Sequence, residues 1–151
     1  MKLAEALQER ADLNRNIEQL RQRLVNNAIV QENEEPVENP QELLKELNSC
    51  VSRLEELMER INRTNTMTQT ENGQSLTALI AHRDCLKIKI HAYKECVNSA
   101  SQTGRRARMS EIRIVSSVNV RDIQKQIDLL SKELRLTDNA IQQMNWSVDL
   151  L

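Results

Sequence analysis

Aromatic side chains are almost absent from this 151-residue chain, which has no phenylalanine, one tryptophan and one tyrosine. Backbone breakers are also scarce, since the chain contains two glycines and two prolines. Aliphatic side chains must therefore fill the core, and the lack of breakers favours long helices. Neither positive nor negative charge is in clear excess, because the formal net charge is −1 at pH 7. This balance gives the chain no overall attraction to nucleic acid or to an anionic membrane.

The sequence also has no uncharged apolar stretch of the kind that exports a chain or spans a membrane. Its first residues, MKLAEALQERADL, carry charges throughout, unlike a signal peptide. No apolar run approaches the roughly 18 residues of a transmembrane helix. Cysteines number three, Cys50, Cys85 and Cys96, and on one helix the last two would stand about 16 Å apart, too far for a disulfide. Reduced thiols and a cytoplasmic location are therefore predicted.

Apolar residues recur at alternating steps of three and four along four segments, which predicts four helices. The predicted helices cover residues 2–31, 40–63, 76–102 and 120–148. Asn39, which precedes Pro40, and Asn119 are typical N-caps. The sustained seven-residue repeat indicates helix packing with left-handed supercoiling. The expected fold is mainly α, a single domain over residues 1–151 that forms an elongated antiparallel helical bundle or coiled coil.

Two stretches depart from the helical pattern and predict a small β element. TNTMTQTENGQSLT contains Asn72-Gly73, a type I′ turn signal, and predicts a β-arm at residues 64–77. SEIRIVSSVNV alternates apolar and polar residues and predicts a half-buried strand at 111–118. The apolar face of that strand consists of Ile112, Ile114 and Val118. Since a lone strand cannot satisfy its own backbone, we expect it to pair with the arm, within the chain or in an antiparallel second subunit.

The second predicted helix carries more apolar residues than one seam requires. A second row, one position on from the main seam, consists of Leu44, Val51 and Met58. A two-fold interface between subunits would bury this row. The sequence therefore predicts a homo-oligomer, at least a dimer, whose contacts include this row and the apolar face of the strand.

Polar residues interrupt the apolar seams at four positions. Extending the seven-residue registers places Arg10, Asn27, Arg83 and Thr137 at core-type positions. A buried guanidinium needs a carboxylate or several carbonyls around it. The favoured interpretation is control of helix register or snorkelling at a bundle end, and the alternative is a polar site inside the bundle. For Arg83 we expect partial burial and a hydrogen bond to a carboxylate or carbonyl of another helix.

No catalytic, cofactor or metal motif stands out. His82 and Cys85 are three residues apart and could supply two metal ligands, but His91 and Cys96 do not repeat that spacing. A packed thiol and a surface histidine are the favoured interpretation. A glycine-rich phosphate loop, a nucleophile elbow and a CxxC pair are all missing. The sequence predicts no metal site, no cofactor and no enzymatic activity.

A basic segment, GRRARMSEIR, follows the third predicted helix and could hold an anion through Arg105, Arg106 and Arg108. No aromatic side chain lies nearby to stack on nucleic-acid bases. A solvated loop, or a partner for the acidic loop at residues 32–38, is therefore the favoured interpretation. Binding of nucleic acid remains an alternative.

The chain resembles the small bacterial coiled-coil proteins labelled septicolysin, a corynebacterial-type family of unknown function. The matching stretches are MKLAEALQERADL, LRQRLVNNAIVQE, INRTN, LTALIAHRD, SEIRIVSSVNV and NWSVDLL. They occur in the expected order over nearly the whole chain. Asn33 stands where the resemblance implies a glycine, and Ala107 where it implies an aromatic residue.

The resemblance implies a mostly helical protein with an uncharacterised role. The label suggests a membrane-active cytolysin, but a segment able to insert into a membrane is missing from the sequence. We therefore predict a non-enzymatic, cytoplasmic structural or protein-interaction protein. A membrane-active protein and a nucleic-acid-binding protein are the alternatives.

Overall fold

The computed structural model describes residues 1–103 and 111–151. Within these residues the protein is mainly helical, as predicted. The four helices are α1 (Leu3–Asn26), α2 (Pro40–Met67), α3 (Leu76–Ala100) and α4 (Val120–Ser147). The chain divides into two compact units, of which one comprises Met1–Ser75 with Met144–Leu151 and the other Leu76–Gln143.

Helix α1 ends at Asn26, earlier than the predicted residue 31, because Asn27 caps it. The Asn27 backbone N–H donates to the carbonyls of Arg23 and Leu24, and its side-chain amide also donates to the Arg23 carbonyl at 2.9 Å. The Asn27 side-chain oxygen accepts a hydrogen bond from the backbone N–H of Glu38 at 3.0 Å. Asn27 thus ends α1 and holds the loop that leads to α2.

That loop includes Asn33, which has a backbone φ of 67°. This left-handed conformation favours glycine, and asparagine tolerates it better than most residues.

Helix α2 begins where the sequence predicts, with Asn39 accepting a hydrogen bond from the Gln41 backbone N–H at 2.9 Å. It ends at Met67 rather than at residue 63. The hydroxyls of Thr64 and Thr66 donate to the carbonyls of Arg60 and Asn62, at 2.8 and 2.9 Å. Threonine in a helix commonly makes this bond to the residue four positions earlier, and here it accompanies an extra helical turn.

The first unit contains α1 and α2 packed antiparallel. The first third of α1 lies beside the middle of α2, since Arg53 Nε donates to Glu9 Oε1 at 2.7 Å. At the other end of the pair, the Arg23 guanidinium donates to the Glu38 carboxylate. The buried side chains of this unit include Leu3, Ala6, Leu20, Leu43, Leu57, Ile61, Thr64 and Leu150.

The last residues of the chain complete the first unit. Lys2 and Asp149 form an isolated antiparallel bridge, in which Leu3 N–H donates to the Val148 carbonyl and Leu150 N–H to the Met1 carbonyl, both at 2.9 Å. The Lys2 ammonium lies 2.9 Å from the Asp149 carboxylate. The backbone N–H of residue 151 donates to Thr64 Oγ1 at 3.0 Å.

The second unit contains α3 and most of α4, also antiparallel. Asn119 caps α4, because its side-chain oxygen accepts a hydrogen bond from the Asp122 backbone N–H at 3.2 Å. Polar contacts join the first half of α3 to the second half of α4. The buried side chains of this unit are Leu76, Leu86, Ile90, Ile127, Thr137 and Ile141.

The predicted β-arm at 64–77 is wrong, because no strand forms among the described residues. Its first residues belong to α2 and its last two to α3. Residues 68–75 form a tight loop with one isolated bridge between Gln69 and Ser75. Thr70 N–H donates to the Gln74 carbonyl at 2.8 Å, and Gly73 takes the expected positive φ of 76°. A turn does form at this position, but it is not the predicted type I′, because that type requires positive φ at Asn72 as well as at Gly73 and only Gly73 has it. The threonine-rich flank is helical.

The predicted strand at 111–118 is also wrong. Residues 111–118 contain one isolated bridge position, at Arg113, and no continuous strand. The Ser116 hydroxyl bonds to the backbone of Val118, donating to its carbonyl at 2.7 Å and accepting from its N–H at 3.3 Å. Such local bonds compete with strand pairing. Instead of forming a half-buried face, Ile112, Ile114 and Val118 are exposed to solvent.

Candidate functional site

An exposed apolar row runs along α2. The row consists of Leu44, Val51 and Met58, whose residues are 40%, 45% and 48% exposed. Their neighbours one position earlier, Leu43 and Leu57, are 3% and 0% exposed. Side chains seven residues apart lie on one line along a helix, so the row extends over about 21 Å. We refer to these residues as the α2 row.

The α2 row lies outside the contact between α2 and α1. That contact uses the buried residues of α2 and the edge that carries Arg53, which stands about 160° around the helix from Val51. On this edge Arg53 donates to the Glu9 carboxylate of α1 from Nε at 2.7 Å and from Nη2 at 3.1 Å. The first unit therefore holds α2 by one side and leaves the row on the other.

Polar side chains flank the α2 row on the side away from the core. The nearer flank consists of Gln41, Asn48, Glu55 and Asn62, and the next consists of Lys45, Ser52 and Glu59. All of these residues are exposed. An apolar strip with a polar margin is the usual anatomy of a protein-protein contact.

Ion pairs fix the orientation of α2 within the first unit. The hydrogen bond from Arg53 lowers the pKa of the Glu9 carboxyl below its ordinary value. In the same way Arg23 lowers the pKa of Glu38, and Lys2 lowers that of Asp149. Each of these carboxylates is therefore stabilised in its charged form by a cation of the same unit.

The four polar seam residues divide between the two units, with Arg10 and Asn27 in the first and Arg83 and Thr137 in the second. Arg10 is half-buried in the first unit, where Asn27 caps α1. Thr137 is 8% exposed in the second unit. The Arg83 side chain, also in that unit, is 23% exposed and bonds mainly to Asp84 of its own helix at 2.9 Å. Its contact with another helix is a 3.8 Å ion pair with Asp138 of α4.

His82 points to a carboxylate rather than to a thiol. Its Nε2 lies 2.8 Å from Glu133 Oε1 of α4, while Cys85 is exposed. Among the described residues, no group of three or more His, Cys, Asp and Glu side chains is arranged to hold a metal ion. Arg105, Arg106 and Arg108, the predicted anion-binding residues, lie outside the described residues.

The second unit also has an open cleft of 370 Å³ between the end of α3 and residues 114–118. The described part of its lining includes Cys96, Gln102 and Ile114 and contains no charged side chain.

Sequence reasoning missed the polar contacts of Thr64, which it assigned to the β-arm. Thr64 is fully buried and receives the backbone N–H of residue 151. A usable signal was present, because Thr64 follows Leu43, Cys50 and Leu57 at seven-residue intervals. The register of the core extends through this threonine.

Among the described residues, no helix combines the length and the apolar character needed to cross a membrane. A search of curated proteins gives no match. A crystal structure of a functionally unknown conserved protein from Corynebacterium diphtheriae is similar over 100% of this chain and 99% of that one. The sequence identity is 39% and the TM-score is 0.93. A family model matches residues 10–150. The chain therefore belongs to the family of unknown function DUF6847.

Proposed function

We propose that the protein is a non-enzymatic interaction protein that associates with a second copy of itself through the α2 row. The observation that carries this proposal is the exposure of Leu44, Val51 and Met58 at seven-residue spacing on one face of one helix. Single exposed apolar residues are common on protein surfaces and need no explanation. An aligned row beside an ordinary buried seam is the pattern by which helices associate.

A second copy fits the α2 row because a two-fold contact is isologous, meaning that it uses the same patch on both subunits. The row has its central residue at Val51, with an apolar residue seven positions away on either side. Two such rows can therefore meet along their whole length, and the apolar residues at both ends of each row are covered. Three half-exposed residues are fewer than a standard interface core, so we expect an association that depends on protein concentration.

The same proposal places the protein in a reducing compartment, which for a bacterial chain is the cytoplasm. Its support is the arrangement of the thiols, since Cys50 is half-buried and Cys85 and Cys96 are exposed and free. Exposed thiols suit a compartment where glutathione and thioredoxin keep cysteines reduced.

Sedimentation velocity over a wide concentration range tests the self-association. Val51→Lys places an ammonium at the centre of the α2 row, and we expect it to raise the dimer dissociation constant by about tenfold or more. Ser49→Lys is the matched control, because it adds the same side chain to an exposed position about 160° around the same helix.

The expected result is that the wild type and Ser49→Lys dimerise alike while Val51→Lys stays monomeric. Circular dichroism of all three proteins checks that the helices are retained. A wild-type protein that remains monomeric at every concentration, or equal association of both lysine variants, would contradict the proposal.

A further inference from the structure

We infer that the two copies pack with their α2 helices antiparallel, so that Lys45 of each copy faces Glu59 of the partner subunit. This inference rests on the self-association proposed above and adds its geometry. The residues that border the α2 row determine the orientation, because the row itself is compatible with two orientations. In a parallel contact Leu44 would meet Leu44 of the partner subunit, and in an antiparallel contact it would meet Met58 of the partner subunit.

The outer flank distinguishes the two orientations by charge. Lys45, Ser52 and Glu59 lie seven residues apart on one line and are all exposed. The line is thus positive at one end, neutral in the middle and negative at the other. Reversal of one helix brings each positive end to a negative end, with the two serines near the two-fold axis. In a parallel two-fold contact the outer flanks of the two copies would lie on opposite sides of the contact, so Lys45 and Glu59 would not pair and this attraction would be lost.

The nearer flank leads to the same orientation. Asn48 and Glu55 are placed almost symmetrically about the centre of the α2 row, and both are exposed. In the antiparallel contact, Asn48 of each copy can donate a hydrogen bond to Glu55 of the partner subunit. In the parallel contact the two nearer flanks would lie on opposite sides, so this hydrogen bond would not form. Two independent lines of side chains therefore favour the same arrangement.

Glu59 remains accessible for this contact, although it already has a cation beside it. Arg63, one turn further along α2, forms an ion pair with the Glu59 carboxylate. The Glu59 side chain is still 63% exposed. A carboxylate has two oxygens and can accept from two cations at once. The Lys45 ammonium of the partner subunit can thus join the existing pair without breaking it.

Charge reversal of the outer flank tests the orientation in the full-length protein. Lys45→Glu places a carboxylate opposite each Glu59 of the antiparallel dimer, and Glu59→Lys places an ammonium opposite each Lys45, so both variants create repulsion. At low salt each single variant should raise the dimer dissociation constant about tenfold, measured by sedimentation. The double variant Lys45→Glu/Glu59→Lys restores both attractions, and we expect it to return within about threefold of the wild type.

The control is Lys87→Glu, which makes the same change at an exposed position of α3 and should leave association unchanged. The single-variant effect should also shrink in about 0.5 M salt, because exposed charges are screened. If Val51→Lys dissociates the dimer but the single charge reversals do not, or if the double variant is no better than the singles, the antiparallel inference is wrong and the self-association stands. If the wild type does not associate at all, both proposals fail.

Discussion

Thr64 is the residue at which the end of α2 meets the last residue of the chain. Its hydroxyl donates to the Arg60 carbonyl at 2.8 Å and accepts from the backbone N–H of Leu151 at 3.0 Å. The Arg60 guanidinium also contacts this residue, because its Nε donates to the Leu151 carbonyl at 2.7 Å. One buried hydroxyl thus satisfies a donor and an acceptor that belong to separate segments.

Thr64→Val keeps the shape of the side chain but removes the acceptor for the Leu151 N–H. We expect the free energy of unfolding to fall by about 1–2 kcal/mol, because a partly buried donor loses its partner. Thr66→Val is a close control, since Thr66 makes the same type of bond to the Asn62 carbonyl on the exposed side of α2. Urea denaturation of both variants measures the difference, and an equal loss in the two would show that the contact with Leu151 contributes nothing.

At the scale of the element, α2 is positioned by ion pairs as well as by its buried seam. Arg53 bonds to Glu9 of α1 and to Glu56 of its own helix, at 2.7 and 2.8 Å. The side chains of Arg53 and Glu9 are about one-third exposed, at 35% and 32%. Solvent therefore screens the pair, and its contribution to stability is modest. Its specific effect is on the pH dependence of folding.

The Glu9–Arg53 pair predicts a loss of stability in acid. The hydrogen bond from Arg53 lowers the pKa of Glu9 in the folded protein below its ordinary value of 4.5. Above pH 4.5 the carboxylate is charged in both states and the stabilisation is fully present. As the pH falls below that value the unfolded chain takes up the proton first, so the free energy of unfolding decreases.

Glu9→Gln should flatten this decrease between about pH 5 and pH 3 in chemical denaturation curves. Glu71→Gln, an exposed change in the loop after α2, should leave the slope as in the wild type. Parallel curves for the wild type and Glu9→Gln would contradict the prediction. Because Glu38 and Asp149 have lowered pKa values for the same reason, the decrease should be reduced rather than abolished.

The helices could be predicted from the sequence because their signals are local. The three-and-four spacing, the caps Asn39 and Asn119 and the Asn72-Gly73 turn all act within a few residues. The α2 row was equally readable, because its residues fall one position outside the three-and-four spacing of the main seam. Its burial by a second subunit stays a prediction, because it depends on contacts outside the chain.

The β element could not be judged from the sequence because its residues have competing options. Threonine has a high strand propensity, but the hydroxyls of Thr64 and Thr66 bond instead to helix carbonyls. What favours the helix at Thr64 is burial against the last residues of the chain, a contact separated by 87 positions. The seven-residue register indicates that Thr64 lies on the core face of a helix, but no window of local sequence contains the contact with residue 151.

At the scale of the whole molecule, the first unit depends on residues 144–151 for its completion. Leu150 is 8% exposed, whereas Leu151 is 49% exposed. Leu150→Ala should therefore cost about 2 kcal/mol of unfolding free energy, through lost burial and a residual cavity. Leu151→Ala keeps the backbone bonds and should cost less than half as much. Equal costs in thermal or urea unfolding would show that Leu150 does not anchor the unit.

The pairing of Lys2 with Asp149 has a consequence for protein synthesis. Residues 76–143 leave the ribosome before residues 144–151. All residues of the second unit are therefore made while the first unit still lacks residues 144–151. Domains that must join distant parts of the chain close late, because the loop between them has to be ordered first. Until residues 144–151 emerge, the buried face of α1 and α2 lacks the segment that seals it. We therefore expect the nascent first unit to need shielding from aggregation until then.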